Sequence, residues 1–146
     1  NPGKKELSNK KFRDHLDFFE ILSLNKEEMQ KLFGDDKDID ELLIVASKKI
    51  PYVLITDGPD GSFATDGKKV YKAGLYKDVP VVDRAGAGDA YSSGFVASII
   101  KGRSLEESLV FASANSTNVV SKIGAKTGIL YEQDKLQEMD ISISDL

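Results

Sequence analysis

Two short apolar runs, each beside residues at helical spacing, restrict the fold more than any other feature of this chain. Phe18-Phe19-Glu20-Ile21-Leu22-Ser23-Leu24 and Tyr52-Val53-Leu54-Ile55-Thr56 have the length and composition of buried strands. Between them, residues 26–33 read as a helix stopped by Gly34. Residues 39–49 read as another, with Leu42, Leu43, Ala46 and Ile50 on one side and Pro51 as its stop. Upstream, the spacing of Leu7, Phe12 and Leu16 predicts a modest helix over 6–17, after a loop at Asn1-Pro2-Gly3. Downstream, Phe63-Ala64-Thr65 and Lys69-Val70-Tyr71 flank Asp66-Gly67, a hairpin signal. Residues 79–82 are β-branched and read as extended. Residues 88–101 predict a helix stopped by Gly102. Ser104-Leu105-Glu106-Glu107 is a capping box that opens a helix to about residue 122. Residues 131–139 read as a terminal helix, and the last residues as frayed. Strands alternating with helices predict one α/β domain over residues 1–146, with a largely parallel sheet flanked by helices.

Composition narrows the function classes. The 146 residues carry 20 Lys+Arg against 24 Asp+Glu, a formal charge of −4, which argues against nucleic acid or an anionic membrane as partner. No Cys is present, so disulfide scaffolds, thiolate metal sites and Cys nucleophiles are excluded; this fits a cytoplasmic location. A single His, His15, argues against His-based triads and zinc sites. It lies among charges on an exposed helix face. No apolar run approaches the ~20 residues that cross a bilayer. The acidic run Asp35-Asp36-Lys37-Asp38 lacks calcium-loop spacing and reads as a solvated connection, and Phe18 and Phe19 read as core.

Chemistry concentrates in Val81-Val82-Asp83-Arg84-Ala85-Gly86-Ala87-Gly88-Asp89-Ala90-Tyr91. A β-branched segment feeds a Gly-Ala-Gly turn that opens a helix. Small residues let the backbone approach a ligand, and the free N–H groups of a helix start attract an anion. No Lys-Ser/Thr follows, so the loop is not a Walker P-loop, and the third Gly of a dinucleotide fingerprint is missing. Asp89 lies in the first helical turn, where a carboxylate can take a proton from a hydroxyl attacking a bound phosphate. The same residues also suit an ordinary helix start, because the dipole alone favours Asp there.

Asp83 through Phe95 resembles the signature of the PfkB, or ribokinase-like, carbohydrate kinase family, Asp-Thr/Ser-Thr-Gly-Ala-Gly-Asp followed by a small-residue helix. The flanks agree. Asn25-Lys26-Glu27-Glu28 matches the family's upstream Asn-x-x-Glu, and Thr56-Asp57-Gly58-Pro59-Asp60-Gly61 matches its Thr-x-Gly-x-x-Gly loop. Phe111-Ala112-Ser113-Ala114-Asn115 resembles the helix lining the adenine pocket, and Lys122-Ile123-Gly124-Ala125 the following Gly-Ala turn. The resemblance covers nearly the whole chain and implies the C-terminal portion of a three-layer ribokinase-like fold.

The resemblance implies transfer of the ATP γ-phosphoryl group to a hydroxyl of a sugar or sugar acid. Asp89 would be the base, and Gly86, Ala87 and Gly88 would form the anion hole. Thr56, Gly58, Gly61, Asn25, Ser113 and Asn115 would contact nucleotide. Asn25 and Glu28 would organise Mg2+ through water; by spacing alone the pair reads as a capping box. A monovalent cation, K+, would lie on Asp83 and the carbonyls of Ala85, Val119, Lys122 and Gly124. The sequence departs from the family there: Ala85 replaces a Thr, Gly128 stands at the place of a hydroxyl-bearing ligand, and Arg84 replaces Thr or Ser.

Ribokinase-like enzymes are about twice this length, and the chain opens on Asn1 rather than Met. The expectation is therefore a C-terminal fragment lacking the half with most sugar contacts and the lid, inactive by itself. A sheet cut at its centre has open edges, which invites dimerisation or association with the absent half. The alternative is a non-catalytic nucleotide- or phosphate-binding module, or a split subunit needing a partner.

Overall fold

In the computed structural model, which describes residues 2–146, the contacts gather into two compact units. Asn1, expected in a loop, lies outside the described residues. One unit comprises residues up to 72 with 142–146; the other comprises residues 73–141.

The first unit is built on a five-stranded sheet in the order β1 (Ile21–Asn25), β2 (Tyr52–Thr56), β3 (Ser62–Thr65), β4 (Lys69–Ala73), β5 (Ile141–Asp145). β1 and β2 are parallel, with Leu22 opposite Val53 and Asn25 opposite Thr56. β2 and β3 are antiparallel, so the sheet is mixed and the expected parallel order holds only for its first pair. The physical reason is connection length. The 26-residue span between β1 and β2 holds two helices and permits a crossover, whereas β2, β3 and β4 follow one another through short turns.

Those two helices are α3 (Lys26–Phe33) and α4 (Ile39–Ser47). Reciprocal capping boxes start both: Asn25 with Glu28, and Asp38 with Glu41. The acidic run thus ends in a helix cap. Met29, Leu42, Leu43, Ala46, Val53 and Ile55 are fully buried and form the centre of this unit's core.

The N-terminal segment departs from the single helix expected over 6–17. It forms α1 (Lys4–Leu7), α2 (Lys10–Asp14) and a 3-10 turn, Leu16–Phe18. Asn9 causes the break, because its side chain accepts from Lys11 N–H and caps a new helix. The following strand starts only at Ile21. Phe18, expected in the core, is 77% exposed and stacks on His15, while Phe19 tilts against Phe12.

The second unit is dominated by the antiparallel-connected pair α5 (Ala87–Ile100) and α6 (Leu105–Val120). Gly102, at φ +76°, makes the turn between them, and the Ser104–Glu107 capping box starts α6. Residues 79–82 form no strand, although the β-branched run suggested one; Val82 and Asp83 instead donate their N–H groups to the carbonyl of Val120. Residues 131–139 form turns and coil rather than the expected helix. There Tyr131 N–H donates to the Asp134 carboxylate, closing a local turn instead of a helical one. The C-terminal residues, expected to fray, form β5, and Leu146 N–H bonds Lys68 O. No helix among the described residues is long and apolar enough to cross a membrane.

Candidate active site

In the second unit, the 83–89 loop is held by its own polar groups. Gly86 is the N-cap of α5, at φ +79°, and contributes no capping side chain. α3, α4 and α6 are each closed by a capping box. At α5 the early amides of Gly88 and Asp89 lack both an intrahelical partner and a capping side chain. Asp89, in that first turn, is exposed, and no hydrogen bond or ion pair among the described residues engages it.

Asp83 braces the loop from behind. One carboxylate oxygen accepts from Ala85 N–H at 2.9 Å and the other from Gly124 N–H at 3.0 Å. These amides hold its carboxyl below the usual carboxylate range, Ala85 contributing most. Gly86 rests on the same turn, since a Cβ there would lie 2.2 Å from Ala125 O. The loop and the Gly124-Ala125 turn, separate motifs in sequence, are therefore one assembly.

Of Ser113 and Asn115, Asn115 borders a cavity of about 320 Å³ together with Gly94, Phe111, Leu130 and Tyr131. Both are 3% exposed and turned toward α5: the Ser113 hydroxyl meets Tyr91 Oη at 3.1 Å, and Asn115 Nδ2 donates to Ala90 O at 2.8 Å. A cavity of about 170 Å³ lies on another face of α6, lined by Ala114, Thr117 and Asn118 with Tyr76, Val79 and Leu130. A helix turns about 100° per residue, so the triplet 114, 117, 118 shares a face that 113 and 115 do not. Thr117 and Asn118 recur at three and four residues from Ala114, a spacing that could have marked them.

In the first unit, Asn25 and Thr56 are register partners at the carboxyl ends of parallel β1 and β2, where ligands of open α/β sheets bind. Gly58 and Gly61 follow Thr56 in a tight loop at φ +50° and +88°, closed by Asp57 N–H to Gly61 O at 2.9 Å. Glu28 joins them through its cap on Asn25. The structure thus brings Asn25, Glu28, Thr56, Gly58 and Gly61 together. It adds a pair that sequence reasoning missed: Lys26 Nζ and the Asp57 carboxylate, 3.0 Å apart, tie the two strand ends. The ion pair raises the Lys26 pKa. Lys26 directly follows Asn25 and Asp57 follows Thr56, so the pairing was readable once the register was known.

At the residues expected to organise Mg2+ through water, Asn25 Oδ1 accepts from Glu28 N–H and a Glu28 carboxylate oxygen accepts from Asn25 N–H, a reciprocal helix cap. No group of three His, Cys, Asp or Glu among the described residues could hold a metal. At the expected K+ site both Asp83 oxygens serve backbone amides, and Val119 O accepts from Lys122 N–H. Gly128 admits no hydroxyl side chain, because its φ is +86° and a Cβ would stand 2.8 Å from Asn118 O.

The geometry can be set beside known proteins. Residues 4–131 match the pattern of the pfkB family carbohydrate kinase. The chain belongs to this family. It is 31% identical over 106 residues to the ATP-dependent 6-phosphofructokinase of Thermoanaerobacterium thermosaccharolyticum, covering 73% of this chain and 33% of that protein. It is 33% identical over 113 residues to the 5-dehydro-2-deoxygluconokinase of Bacillus subtilis, covering 75% and 30%. The solved structure of Arabidopsis thaliana ribokinase complexed with ribose and ATP superposes with a TM-score of 0.73 at 30% identity, over 80% of this chain and 39% of that one. This pfkB-family chain spans about a third of the length of the curated relatives it matches.

Proposed function

We propose that this chain carries the nucleotide-binding and phosphoryl-transfer elements of an ATP-dependent sugar kinase. The observation that carries the reading is the start of α5: amides without a capping side chain, a Gly N-cap braced on Ala125, and the carboxylate of Asp89 engaged by nothing else. In this reading the amides around Gly86, Ala87 and Gly88 stabilise charge developing on the transferred phosphoryl group. One such donor is worth roughly 3 to 4 kcal/mol of barrier in comparable holes. The acceptor hydroxyl oxygen bonds to the γ-phosphorus as the bond from that phosphorus to the β–γ bridging oxygen breaks. The hydroxyl proton passes to Asp89 and ADP leaves. A carboxylate is a weak base toward an alcohol, so the proton moves late, as the hydroxyl becomes acidic.

The cavity along Ala114, Thr117 and Asn118 suits a flat base, with Thr117, Asn118, Lys135 and Gln137 beside the apolar walls of Val79, Leu130 and Leu136. Thr56, Gly58 and Gly61 keep the nucleotide-contact role that the family motif implies. The acceptor is a sugar or sugar acid, in a cytoplasmic enzyme. The relatives named above act on different acceptors, and the residues that choose one lie outside the matched third.

That short coverage supports two further statements. The isolated chain binds MgATP weakly without phosphorylating sugars, because a kinase needs a closed, water-excluding acceptor site. The second reading, a binding module that works with a partner, rests on the same fact. Titration of the chain with MgATP, followed by amide shifts at Gly86–Asp89, tests the nucleotide role; silence there at millimolar MgATP sinks it. Sugar-dependent ADP release by the 146-residue chain, with ribose or fructose 6-phosphate as acceptor, would refute its inactivity.

A further inference from the structure

Three polar side chains of α6 reach the first turns of α5. Ser116 Oγ donates to Ala87 O at 3.0 Å, Asn115 Nδ2 to Ala90 O at 2.8 Å, and the Ser113 hydroxyl meets Tyr91 Oη at 3.1 Å. Asn115 alone has a second anchor, since its Oδ1 accepts from Leu130 N–H at 2.8 Å. It is 3% exposed, and both ends of its amide are used. Gly94 gives it room: a Cβ there would lie 3.3 Å from Asn115 Nδ2. Ala87 and Ala90 bracket Asp89, so their carbonyls define the angle at which the turn presents its amides and its carboxylate.

We infer that Asn115 is a positioning residue for phosphoryl transfer: by bridging Ala90 O and Leu130 N–H it fixes the rotation of the first turn of α5, and hence the aim of Asp89. The catalytic part of this inference rests on the kinase reading; the positional part does not. Misplacement by about 1 Å at such a site costs on the order of 100-fold in rate. A helix carbonyl in the first turn already accepts one intrahelical N–H, so the Asn115 bond is not needed to keep α5 helical. Its effect is on where the turn points.

Two variants separate the bonds. Asn115→Leu keeps the volume and removes both. Asn115→Asp keeps an oxygen for Leu130 N–H and cannot donate to Ala90 when ionised. Hydrogen exchange in the chain without ligand is read at the amides of Ala90 and Tyr91, with residues 95–100 of the same helix as reference. The expected result is exchange at least ~10-fold faster at the first pair in both variants, with the reference unchanged. Leu130 N–H loosens only in Asn115→Leu. No change at Ala90 and Tyr91, or a uniform rise along α5, overturns the inference; if Asn115→Leu does not fold, Asn115→Asp decides. In phosphoryl transfer by the polypeptide that carries this chain, kcat falls ~10- to 100-fold while KM for MgATP stays within ~3-fold. A change confined to KM overturns the catalytic part. A wild-type chain indifferent to MgATP removes the kinase reading and leaves the exchange result standing.

Discussion

Gly86 lies so close to Ala125 that a Cβ at residue 86 would stand 2.2 Å from the Ala125 carbonyl oxygen and 2.8 Å from its Cα. Backbone rather than a flexible side chain fills that space, and the φ of +79° disfavours any L side chain. Gly86→Ala is therefore expected to lose about 2 to 4 kcal/mol, combining left-handed strain with overpacking. Denaturant unfolding measures the loss. A variant within ~0.5 kcal/mol of wild type, the range of ordinary surface substitutions, would mean the loop does not depend on this contact.

The Asp83 clamp should respond to acid with a fixed sign. Amide hydrogen bonds from Ala85 and Gly124 hold its folded pKa below the unfolded value of about 3.9. The clamp is thus fully present above that unfolded value and is lost as pH falls through the lower, folded one. In a pH titration by NMR, the Ala85 and Gly124 amides should shift together below about pH 4. Asp83→Asn should abolish the shared inflection. Inflections at different pH for the two amides would mean that they do not report one carboxylate.

Asp89 has no hydrogen-bond or ion-pair partner among the described residues, so its replacement tests chemistry with little cost to the fold. In the polypeptide that carries this chain, Asp89→Ala should lower kcat at least ~100-fold with little change in KM for MgATP. Steady-state kinetics and a thermal melt on the same sample check both halves. Near-normal turnover removes Asp89 as the base.

Ser108 offers a prediction of opposite sign. Its hydroxyl is fully buried in α6 and has no hydrogen-bond partner among the described residues. Leaving such a group unpaired costs about 1 to 3 kcal/mol, so Ser108→Ala should stabilise the chain by up to about that amount. A lower denaturant midpoint in the variant would show that the hydroxyl is satisfied in solution.

Local signals that agree with one another were legible in the sequence. The caps at Asn25 and Ser104 sit where the apolar periodicity begins, and Gly34 and Gly102 sit where it ends, so α3, α4, α5 and α6 stand close to their expected places. Where a segment's state depends on a distant partner, local pattern misled. Residues 79–82 have strand chemistry but give the amides of Val82 and Asp83 to Val120 O at the end of a helix. β5 forms because a strand edge is available, which nothing in residues 141–145 announces. The motif of the 83–89 loop was readable because its residues are consecutive. Its bracing against Ala125 was not, since that contact spans the whole α5–α6 pair. The orientation of α6 was hidden for a related reason: Ser113, Ala114, Asn115, Ser116 and Thr117 are all small or polar, so no apolar stripe distinguishes the face toward α5 from the face toward the cavity.

That ambiguity yields the last prediction. If the cavity on Ala114, Thr117 and Asn118 receives the nucleotide base, filling it should block binding without disturbing the loop. Ala114→Phe adds an aromatic ring to a space of about 170 Å³, enough to exclude a purine. Ala114 faces that cavity rather than the α5 contact made by its neighbours Ser113 and Asn115, so the Asp83 and Gly86 contacts should survive. The expected outcome is MgATP affinity reduced at least ~10-fold, equivalent to about 1.4 kcal/mol, with the Ala85 and Gly124 amide resonances unchanged. Inorganic triphosphate, which has no base, should bind variant and wild type alike. Equal loss for triphosphate and MgATP would place the defect at the phosphate cradle, and unchanged MgATP binding would move the base elsewhere.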